Sequence, residues 1–291
     1  MKNFMIGVIV LVMFTGLLTS CGEQPAKQVT EMPAGDITRQ WNLGIALWTF
    51  HTFSFPESLD KVDSAGIKFI EPNMFMKAGN GLLDTVVGQL SPDGIEKLKL
   101  MIKAKGLRME SLYIQGDSSL ASWKHQFDIA KQFDVKFVTA EPPVYLWDGI
   151  DSLAGSYGIK VAIHEHWKGV SAYWHPDSVL AAIQGHPNFG ACADLGHWPK
   201  SGIDPVEAVK KLSGHIIALH LKDIAAFNDP KLLDVPVGKG VVNFPGVFEE
   251  LKKQGFKGNI YIEMDMEGHP SNLPAVQQTI IYYNEQAAKL K

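Results

Sequence analysis

The chain has 291 residues, a formal net charge of −4 and a hydrophobic content of 46%. That hydrophobic content is enough for a large core, because a chain of this length buries most of its apolar surface when it folds. The acidic balance, together with the lack of any long run of Lys and Arg, argues against a nucleic-acid-binding surface.

The first twenty residues have the features of an export signal. Lys2 precedes an apolar run over residues 4–18, and the run is followed by Thr-Ser before Cys21. A basic start, an apolar stretch too short to span a bilayer and small residues after it are typical of a secretory signal peptide. The Leu-x-Ser-Cys ending resembles a bacterial lipoprotein signal. We therefore predict a signal peptide over 1–20, with an ordinary signal and an incidental Cys as the alternative.

The lipoprotein interpretation has consequences for the rest of the chain. It predicts lipidation at Cys21, export to the cell envelope (periplasmic or outer-membrane associated) and attachment to the membrane through the N-terminal lipid. Residues 21–40 are polar, contain Pro25 and Pro33 and lack apolar periodicity, so we expect a flexible tether there. The folded domain is predicted over 41–291, a length typical of a single α/β barrel.

Short β-rich runs then alternate with helical patterns, which is typical of a parallel α/β fold. The eight predicted strands are Leu43–Phe50, Lys68–Asn73, Leu107–Ile114, Lys136–Glu141, Lys160–His166, Phe189–Asp194, Ile216–Lys222 and Asn259–Asp265. Several intervening helices begin at a Pro and end before a Gly, as at Pro92 and Gly106. The fourth helix, Asp151–Tyr157, is expected to be unusually short.

Eight βα units predict a closed (β/α)₈ TIM barrel of one domain. An open, doubly wound sheet is the alternative. Such a sheet usually has a glycine-rich phosphate loop after its first strand, whereas this chain has Trp-Thr-Phe-His-Thr over residues 48–52.

Ionisable side chains occur at the carboxyl ends of most predicted strands, where the active sites of such barrels lie. Side chains alternate along a strand, so residues two apart share a face. By this rule five ionisable side chains can point inward at similar depth, and together they predict a metal site: Glu141, His164, Asp194, His220 and Glu263. Imidazoles and carboxylates favour one divalent ion, namely Mn²⁺, Mg²⁺, Co²⁺ or Zn²⁺.

Each candidate also has a structural interpretation. A single histidine at a strand end is more often a hydrogen-bonded scaffold residue than a ligand, which applies to His166 and His215. Glu165 is expected to face the helices or solvent. Aromatic residues after the strands are either core residues or stacking surfaces for sugar rings, and three of them are candidates for stacking: Trp167, Trp174 and Trp198.

The strand-end motifs resemble those of the xylose-isomerase-like family of sugar phosphate isomerases and epimerases. The segments that carry the resemblance are AIHEH over residues 162–166, CADLGHW over 192–198, LHLKD over 219–223, VGKGVVNF over 237–244 and YIEMD over 261–265. The resemblance implies a TIM barrel with metal ligands at Asp194, His220 and Glu263 and a substrate contact at His197. It departs from the family at His164, where the usual ligand is Glu. A branch with this His-x-His ending is similar to lyases that act on 3-keto-glycosides.

The predicted chemistry is metal-assisted removal of a proton next to a sugar carbonyl. Candidates for proton transfer are Glu141, Glu263, His197 and Lys222, and candidates for substrate contact are Glu71, His166 and Trp198. Reprotonation gives an isomerase or epimerase, whereas loss of a leaving group gives a lyase or dehydratase acting on a keto-sugar or 3-keto-glycoside.

An unphosphorylated sugar or glycoside is expected, because sugar phosphates are mainly cytosolic and no phosphate-binding loop is evident. The closest candidate for such a loop is Gly238–Gly240, but a turn between a strand and a helix explains this segment more simply. Two other classes remain as alternatives. A DNA-repair endonuclease would need three metals and a basic surface, and a non-catalytic carbohydrate-binding lipoprotein would bind its ligand without a metal.

Overall fold

The computed structural model describes residues 37–79, 81–82, 85–266 and 271–290. The predicted signal peptide, Cys21 and most of the predicted tether lie outside the described residues. The last four residues of that tether, Ile37–Gln40, form a 3₁₀ helix directly before the first strand. Within the described ranges, no helix is both long enough and apolar enough to cross a membrane.

Strands and helices alternate through the described part of the chain. The strands are β1 Trp41–Ala46, β2 Phe69–Glu71, β3 Arg108–Met109, β4 Ser111–Tyr113, β5 Phe137–Ala140, β6 Lys160–His164, β7 Phe189–Asp194, β8 Ile216–Leu221, β9 Asp223–Ile224, β10 Asp234–Val235 and β11 Gly258–Ile262. The α-helices are α1 Phe55–Ser64, α2 Pro92–Ala104, α3 Leu120–Gln132, α4 Trp147–Tyr157, α5 Pro176–Ile183, α6 His197–Lys200, α7 Pro205–Lys211, α8 Phe244–Lys253 and α9 Leu273–Lys289.

Nine strands form one parallel sheet in the order β3-β2-β1-β11-β8-β7-β6-β5-β4. The two end strands, β3 and β4, are separated in the chain by Glu110 alone. Together they occupy the position of the third strand in an eight-stranded barrel. Two backbone hydrogen bonds join the end of β2 to the end of β4: Tyr113 N–H donates to Pro72 O at 2.8 Å, and Met74 N–H donates to Tyr113 O at 3.0 Å. The predicted TIM-barrel fold is therefore confirmed, with the third barrel strand interrupted between β3 and β4.

Helix starts follow the signals in the sequence. The Ser91 hydroxyl accepts a hydrogen bond from Gly94 N–H at 3.2 Å, and Pro92 occupies the first helical position of α2. Ser54 and Glu57 form a capping box before α1. These caps satisfy amide donors that have no partner inside the helix, which fixes where each helix begins and how the preceding loop leaves the barrel.

Two predicted elements differ from the observed ones. The first strand ends at Ala46 rather than Phe50, because Leu47–Phe50 forms a 3₁₀ helix in which the Thr49 hydroxyl donates to Ile262 O at 3.2 Å and accepts from Met264 N–H at 3.2 Å. The fourth helix begins at Trp147 and is not shortened, since the Trp147 indole N–H donates to the Tyr173 hydroxyl at 2.6 Å and holds the first turn in place.

Small side chains fill the barrel interior directly below the strand ends. A buried cluster contains Ala46, Ala162, Cys192, Ala218 and Tyr261. Four of these residues lie two positions before His164, Asp194, His220 and Glu263, so the alternation of the strands places those polar side chains one layer higher on the same inner face. The site is therefore built on a closely packed floor.

Candidate metal centre and its cavity

Four side chains converge at the carboxyl ends of neighbouring strands β6, β7, β8 and β11. His164, Asp194, His220 and Glu263 each contribute one nitrogen or oxygen, and these four atoms lie within 4.8 Å of one another. Asp194 Oδ2 lies 3.4 Å from His164 Nε2 and 3.7 Å from His220 Nδ1. All four residues are buried.

Several atoms of this cluster have no hydrogen-bond partner. They are both ring nitrogens of His164, Asp194 Oδ2 and His220 Nδ1. A buried polar atom without a partner typically costs about 1–3 kcal/mol. Three of these atoms, His164 Nε2, Asp194 Oδ2 and His220 Nδ1, face one point, where His220 Nδ1 also lies 2.7 Å from Glu263 Oε2, and such a group is difficult to explain in a stable core. Two imidazoles and two carboxylates form a donor set that suits a divalent ion. The residues therefore fit the predicted metal.

Neighbouring groups leave each carboxylate one oxygen for a metal. Asp194 Oδ1 accepts hydrogen bonds from the backbone N–H groups of Gly196 and His197, both at 2.9 Å. Lys222 Nζ donates to Glu263 Oε1 at 2.6 Å. The remaining oxygens, Asp194 Oδ2 and Glu263 Oε2, face the cluster. Four single-atom ligands would leave a divalent ion able to bind additional oxygens from a substrate.

Glu71 was predicted to contact substrate, and the structure places one of its oxygens behind a metal-ligand candidate. Glu71 Oε1 lies 2.7 Å from His220 Nε2, and Glu71 Oε2 accepts a hydrogen bond from the Thr139 hydroxyl at 2.6 Å. A carboxylate in this position keeps the proton on Nε2 and leaves Nδ1 free for a metal.

Glu141, predicted as a metal ligand, lies outside the four-atom cluster but forms a second candidate metal group with His164 and His166, whose ligand atoms also lie within 4.8 Å of one another. Its Oε1 is 3.7 Å from His164 Nδ1 and is hydrogen-bonded to His166 Nδ1, while its Oε2 accepts a hydrogen bond from the Ser171 hydroxyl. Glu141 therefore links two histidines on the wall of the site. Ser171 was missed by the sequence analysis, because a serine in a loop between strand and helix carries no distinguishing pattern.

Lys222, a predicted catalytic residue, is only 3% exposed and is surrounded by carboxylates. Besides Glu263, its Nζ lies 3.5 Å from Asp234 Oδ2 and 3.8 Å from Asp194 Oδ2. Asp234 was missed because it lies on β10, in a hairpin with β9 that the βα pattern did not predict. Lys222 is thus a buried cation of the site, and it contacts the cavity only through Glu263.

Burial and neighbouring charge act in opposite directions on these groups. Burial alone would lower the pKa of His164, but the nearby carboxylates of Asp194, at 3.4 Å, and Glu141, at 3.7 Å, raise it to about 9. Burial would raise the pKa of Asp194, but the positive charge of Lys222 and the neighbouring rings of His164 and His220 hold it well below its usual range. Burial would also raise the pKa of Glu263, but the positive charge of Lys222 outweighs this effect and lowers the pKa well below its usual value. The carboxylates are therefore ionised and ready to bind a cation.

His166 and His197 are stacked beside the cluster. Their ring centroids are 4.7 Å apart, and His197 Nε2 lies 3.7 Å from Asp194 Oδ2. His197 is buried, which lowers its pKa well below the usual value and keeps it neutral. The side chain of His166 is 30% exposed and lines the cavity. Of these two predicted site residues, His166 is therefore the one that a substrate can reach.

The cluster opens into a cavity of about 590 Å³. Glu71, His164 and Glu263 lie among its lining residues, and Trp48, Phe75 and Tyr113 form an aromatic wall. Phe75 packs edge-on against both neighbours, with ring centroids 5.8 Å from Trp48 and 6.0 Å from Tyr113. This volume is within the range of pockets that enclose small-molecule ligands.

Two predictions about the surroundings of the site need correction. Trp198 is fully buried, because the short helix α6 turns its indole into the core, and it therefore cannot stack on a sugar. Trp167 packs against His197 at 5.3 Å, and neither it nor Trp174 lines the cavity. Glu165 does not reach solvent: it is buried and accepts a hydrogen bond from Asp194 N–H at 2.9 Å.

The glycine-rich turn near the site is filled by a side chain of the protein itself. The Asp223 carboxylate accepts hydrogen bonds from the N–H groups of Gly238 at 2.9 Å, Gly240 at 2.8 Å and Val242 at 3.2 Å, and from that of Ile224 at 3.0 Å. A Cβ at Gly240 would lie 2.1 Å from Ile224 O, so only glycine fits. These amides are already used and are not available to a phosphate.

The chain resembles known proteins over most of its length. The family model described as xylose isomerase-like TIM barrel matches residues 59–284. An uncharacterised protein from Parabacteroides distasonis, solved by crystallography, is 31% identical with a TM-score of 0.67 over 84% of this chain and 99% of that one. The IOLI protein, solved with a zinc atom, has a TM-score of 0.71 at 17% identity over 86% of this chain and 99% of its own; that likeness is one of fold.

Curated relatives match over shorter stretches. L-ribulose-5-phosphate 3-epimerase UlaE from Salmonella paratyphi A is 38% identical over 80 residues, which is 27% of this chain and 27% of the epimerase. The chain thus aligns with about a quarter of that relative's length, and the match by itself does not transfer a substrate.

Proposed function

The chain belongs to the xylose isomerase-like TIM barrel family, and we propose that it is a divalent-metal-dependent enzyme that removes a proton next to the carbonyl of an unphosphorylated sugar. Similar proteins include an L-ribulose-5-phosphate 3-epimerase and, as a likeness of fold, a probable 3-DHS dehydratase from Bacillus anthracis. The observation that carries the proposal is a group of two imidazoles and two carboxylates whose ligand atoms lie within 4.8 Å of one another, beside a cavity of small-molecule size. Three of the four ligand atoms assigned below, His164 Nε2, Asp194 Oδ2 and His220 Nδ1, have no hydrogen-bond partner.

Each residue near the metal would have a distinct task. We assign the metal to His164 Nε2, Asp194 Oδ2, His220 Nδ1 and Glu263 Oε2. When bound, a divalent ion polarises a carbonyl and stabilises the negative charge that develops as the neighbouring C–H proton leaves. Lys222 holds the second oxygen of Glu263, so Glu263 is occupied as a ligand and is a poor candidate for the base.

We assign proton removal to His166, supported by Glu141. His166 Nδ1 is bonded to Glu141, which leaves Nε2 as the ring nitrogen that can accept a proton from a sugar in the cavity. The carboxylate orients the ring and stabilises its charged form, as a carboxylate does in other His-based acid–base pairs. If His166 returns the proton to the neighbouring carbon, the product is an isomer. An epimer would require a second group to protonate the original carbon from the opposite face.

The absence of a phosphate on the substrate is supported by the contacts of Asp223. The nearby amide groups that could bind a phosphate already donate to this carboxylate. Placing a second anion there would bring two negative charges together in a largely buried turn, which is unfavourable.

The test is hydrogen exchange in D₂O. Metal-loaded protein is mixed with a panel of unphosphorylated aldoses and ketoses, and deuterium uptake is located by NMR. We expect uptake at the carbon next to the carbonyl, loss of uptake after chelation, and a loss of at least 100-fold in Asp194→Asn and His166→Gln. The control is His125→Gln, an exposed histidine on α3.

Two results would contradict the proposal. Uptake with sugar phosphates but with none of the free sugars would refute the unphosphorylated substrate. Sugar binding that survives chelation without any exchange would favour a non-catalytic carbohydrate-binding protein. The products would separate isomerisation from elimination.

We further propose that the enzyme is exported and lipidated at Cys21, on the basis of the apolar run and the Leu-x-Ser-Cys ending. Metabolic labelling with a radioactive fatty acid, followed by membrane fractionation, tests it. The full chain should carry label and sediment with membranes, and Cys21→Ser should do neither. Label on the Cys21→Ser variant would refute the assignment.

A further inference from the structure

The cavity continues outward beyond the metal-binding residues to an apolar rim. Phe75, Tyr145 and Val170 line the cavity, and their exposed fractions are 42%, 69% and 61%. Among the described residues, nine large apolar side chains are exposed, and three of the nine meet at this opening. A cluster of exposed apolar side chains at the edge of a pocket is typical of a ligand-binding surface.

The three rim residues come from separate loops at the same end of the barrel. Phe75 follows β2, Tyr145 follows β5 and Val170 follows β6. Because loops after neighbouring strands converge only at the mouth, the rim is formed by the fold and not by one apolar run in the sequence.

The ring of Phe75 is held in place before any ligand arrives. Trp48 contacts it at an interplanar angle of 72° and Tyr113 at 81°, so both neighbours present an edge-to-face contact. Tyr145, in contrast, makes no hydrogen bond or ring contact with any described residue. One aromatic surface is therefore fixed and the other is free to adjust, which favours binding of a flat group between or against them.

A bare sugar would leave much of this rim exposed, although the C–H face of a sugar ring can stack on an aromatic side chain. Its carbonyl and the neighbouring hydroxyl are required at the metal-binding residues, and its remaining hydroxyl groups need hydrogen-bond partners that Phe75 and Val170 lack. An apolar substituent would instead remove the exposed surface of these side chains from water.

We infer that the substrate is a sugar that carries an aromatic or other flat apolar substituent, and that this substituent lies against Phe75, Tyr145 and Val170. The inference rests on the proposed function for the position of the sugar ring. It names the substrate class as a keto-glycoside, a glycoside that keeps a carbonyl on its ring and carries an apolar group outside the ring. The rim would therefore determine specificity and take no part in proton transfer.

The experiment compares phenyl and methyl glycosides of the same keto-sugars by calorimetry, with Mn²⁺-loaded full-length protein. For at least one sugar the phenyl member should bind about ten-fold more tightly, since aromatic contact and apolar burial together contribute about one tenfold step. That ratio should fall to near one in Tyr145→Ser and Phe75→Ser. Tyr145→Ser is the safer variant, because its side chain packs on nothing that the fold requires.

The matched control is Ile281→Ser on α9, which removes an equally exposed apolar side chain (61% exposed) away from the cavity. It should leave the ratio unchanged. Equal affinity for both members of every pair, including lack of binding by both, would overturn the inference, as would a ratio that Tyr145→Ser does not change. Failure of the proposed function is distinguishable: D₂O exchange would be absent for all sugars while the phenyl preference persisted.

Discussion

We expect Glu71 to influence how well the proposed site binds a metal, although it lies behind His220, a proposed ligand. Its Oε1 is 2.7 Å from His220 Nε2, in a fully buried position. A hydrogen bond to a charged group contributes about 1.5–3 kcal/mol, and loss of a carboxylate behind a metal-binding histidine typically weakens metal affinity about 10- to 100-fold. We expect Glu71→Gln to lie near the lower value, because its amide oxygen can still accept from Nε2, and Glu71→Ala near the upper value.

The measurement is Mn²⁺ titration by calorimetry, with urea denaturation to confirm that each variant is folded. Thr139→Val removes the hydroxyl that donates to the other oxygen of Glu71 and should weaken binding less than Glu71→Ala does. Glu110→Gln, whose carboxylate pairs with Lys136 outside the cavity, should have no effect. A folded Glu71→Ala variant that binds Mn²⁺ within two-fold of the wild type would show that His220 does not depend on this carboxylate or does not bind the metal.

Three other perturbations have expected outcomes. The pKa of His164 is raised from 6.5 to about 9 in the metal-free protein, so the stability that it contributes is complete below pH 6.5 and is lost as the pH rises through 9. Over this pH window the melting temperature of the metal-free protein should fall while its affinity for Mn²⁺ rises. A melting temperature that increases would contradict the assignment. Asp223→Ala leaves four amide donors without an acceptor and should lower the free energy of unfolding by about 2–4 kcal/mol in urea titrations, whereas Asp229→Ala, which loses only an exposed contact, should have little effect. Lys222→Met removes the cation beside Glu263 and should tighten Mn²⁺ binding about ten-fold while lowering exchange activity; weaker Mn²⁺ binding would show that Lys222 mainly supports the geometry of the ligands.

The positions of the metal-site residues were predictable because they follow from two regular features. Strand alternation fixes which face a side chain occupies, and parallel strands bring their carboxyl ends to one rim. These two rules are sufficient to predict that four side chains lie together at the rim: His164, Asp194, His220 and Glu263. The barrel itself was predictable for the same reason, since eight βα units have few ways to pack.

The contacts that refine the site were not predictable in this way. Glu71 and His220 are 149 residues apart, and only the closed barrel brings them together across its interior. Ser171 and Asp234 lie in irregular segments, whose paths depend on tertiary contacts and not on a local period. Trp198 was misassigned because a four-residue helix after β7 rotates its side chain inward, and such a short turn leaves no periodic signal.

The interruption of the third barrel strand, between β3 and β4, makes this part of the barrel the easiest to open. β3 is paired with β2 through two residues and β4 with β5 through three, whereas β1 and β11 are paired through five. Both junctions have fewer paired residues than the β1–β11 junction, although Tyr113 N–H and Met74 N–H add two backbone hydrogen bonds at the upper end, where Tyr113 is part of the aromatic wall. The amide hydrogens of β3 and β4 should therefore exchange with solvent sooner than those elsewhere in the sheet. For the same reason, we expect the cavity to widen most readily beside these two strands when a bulky ligand binds.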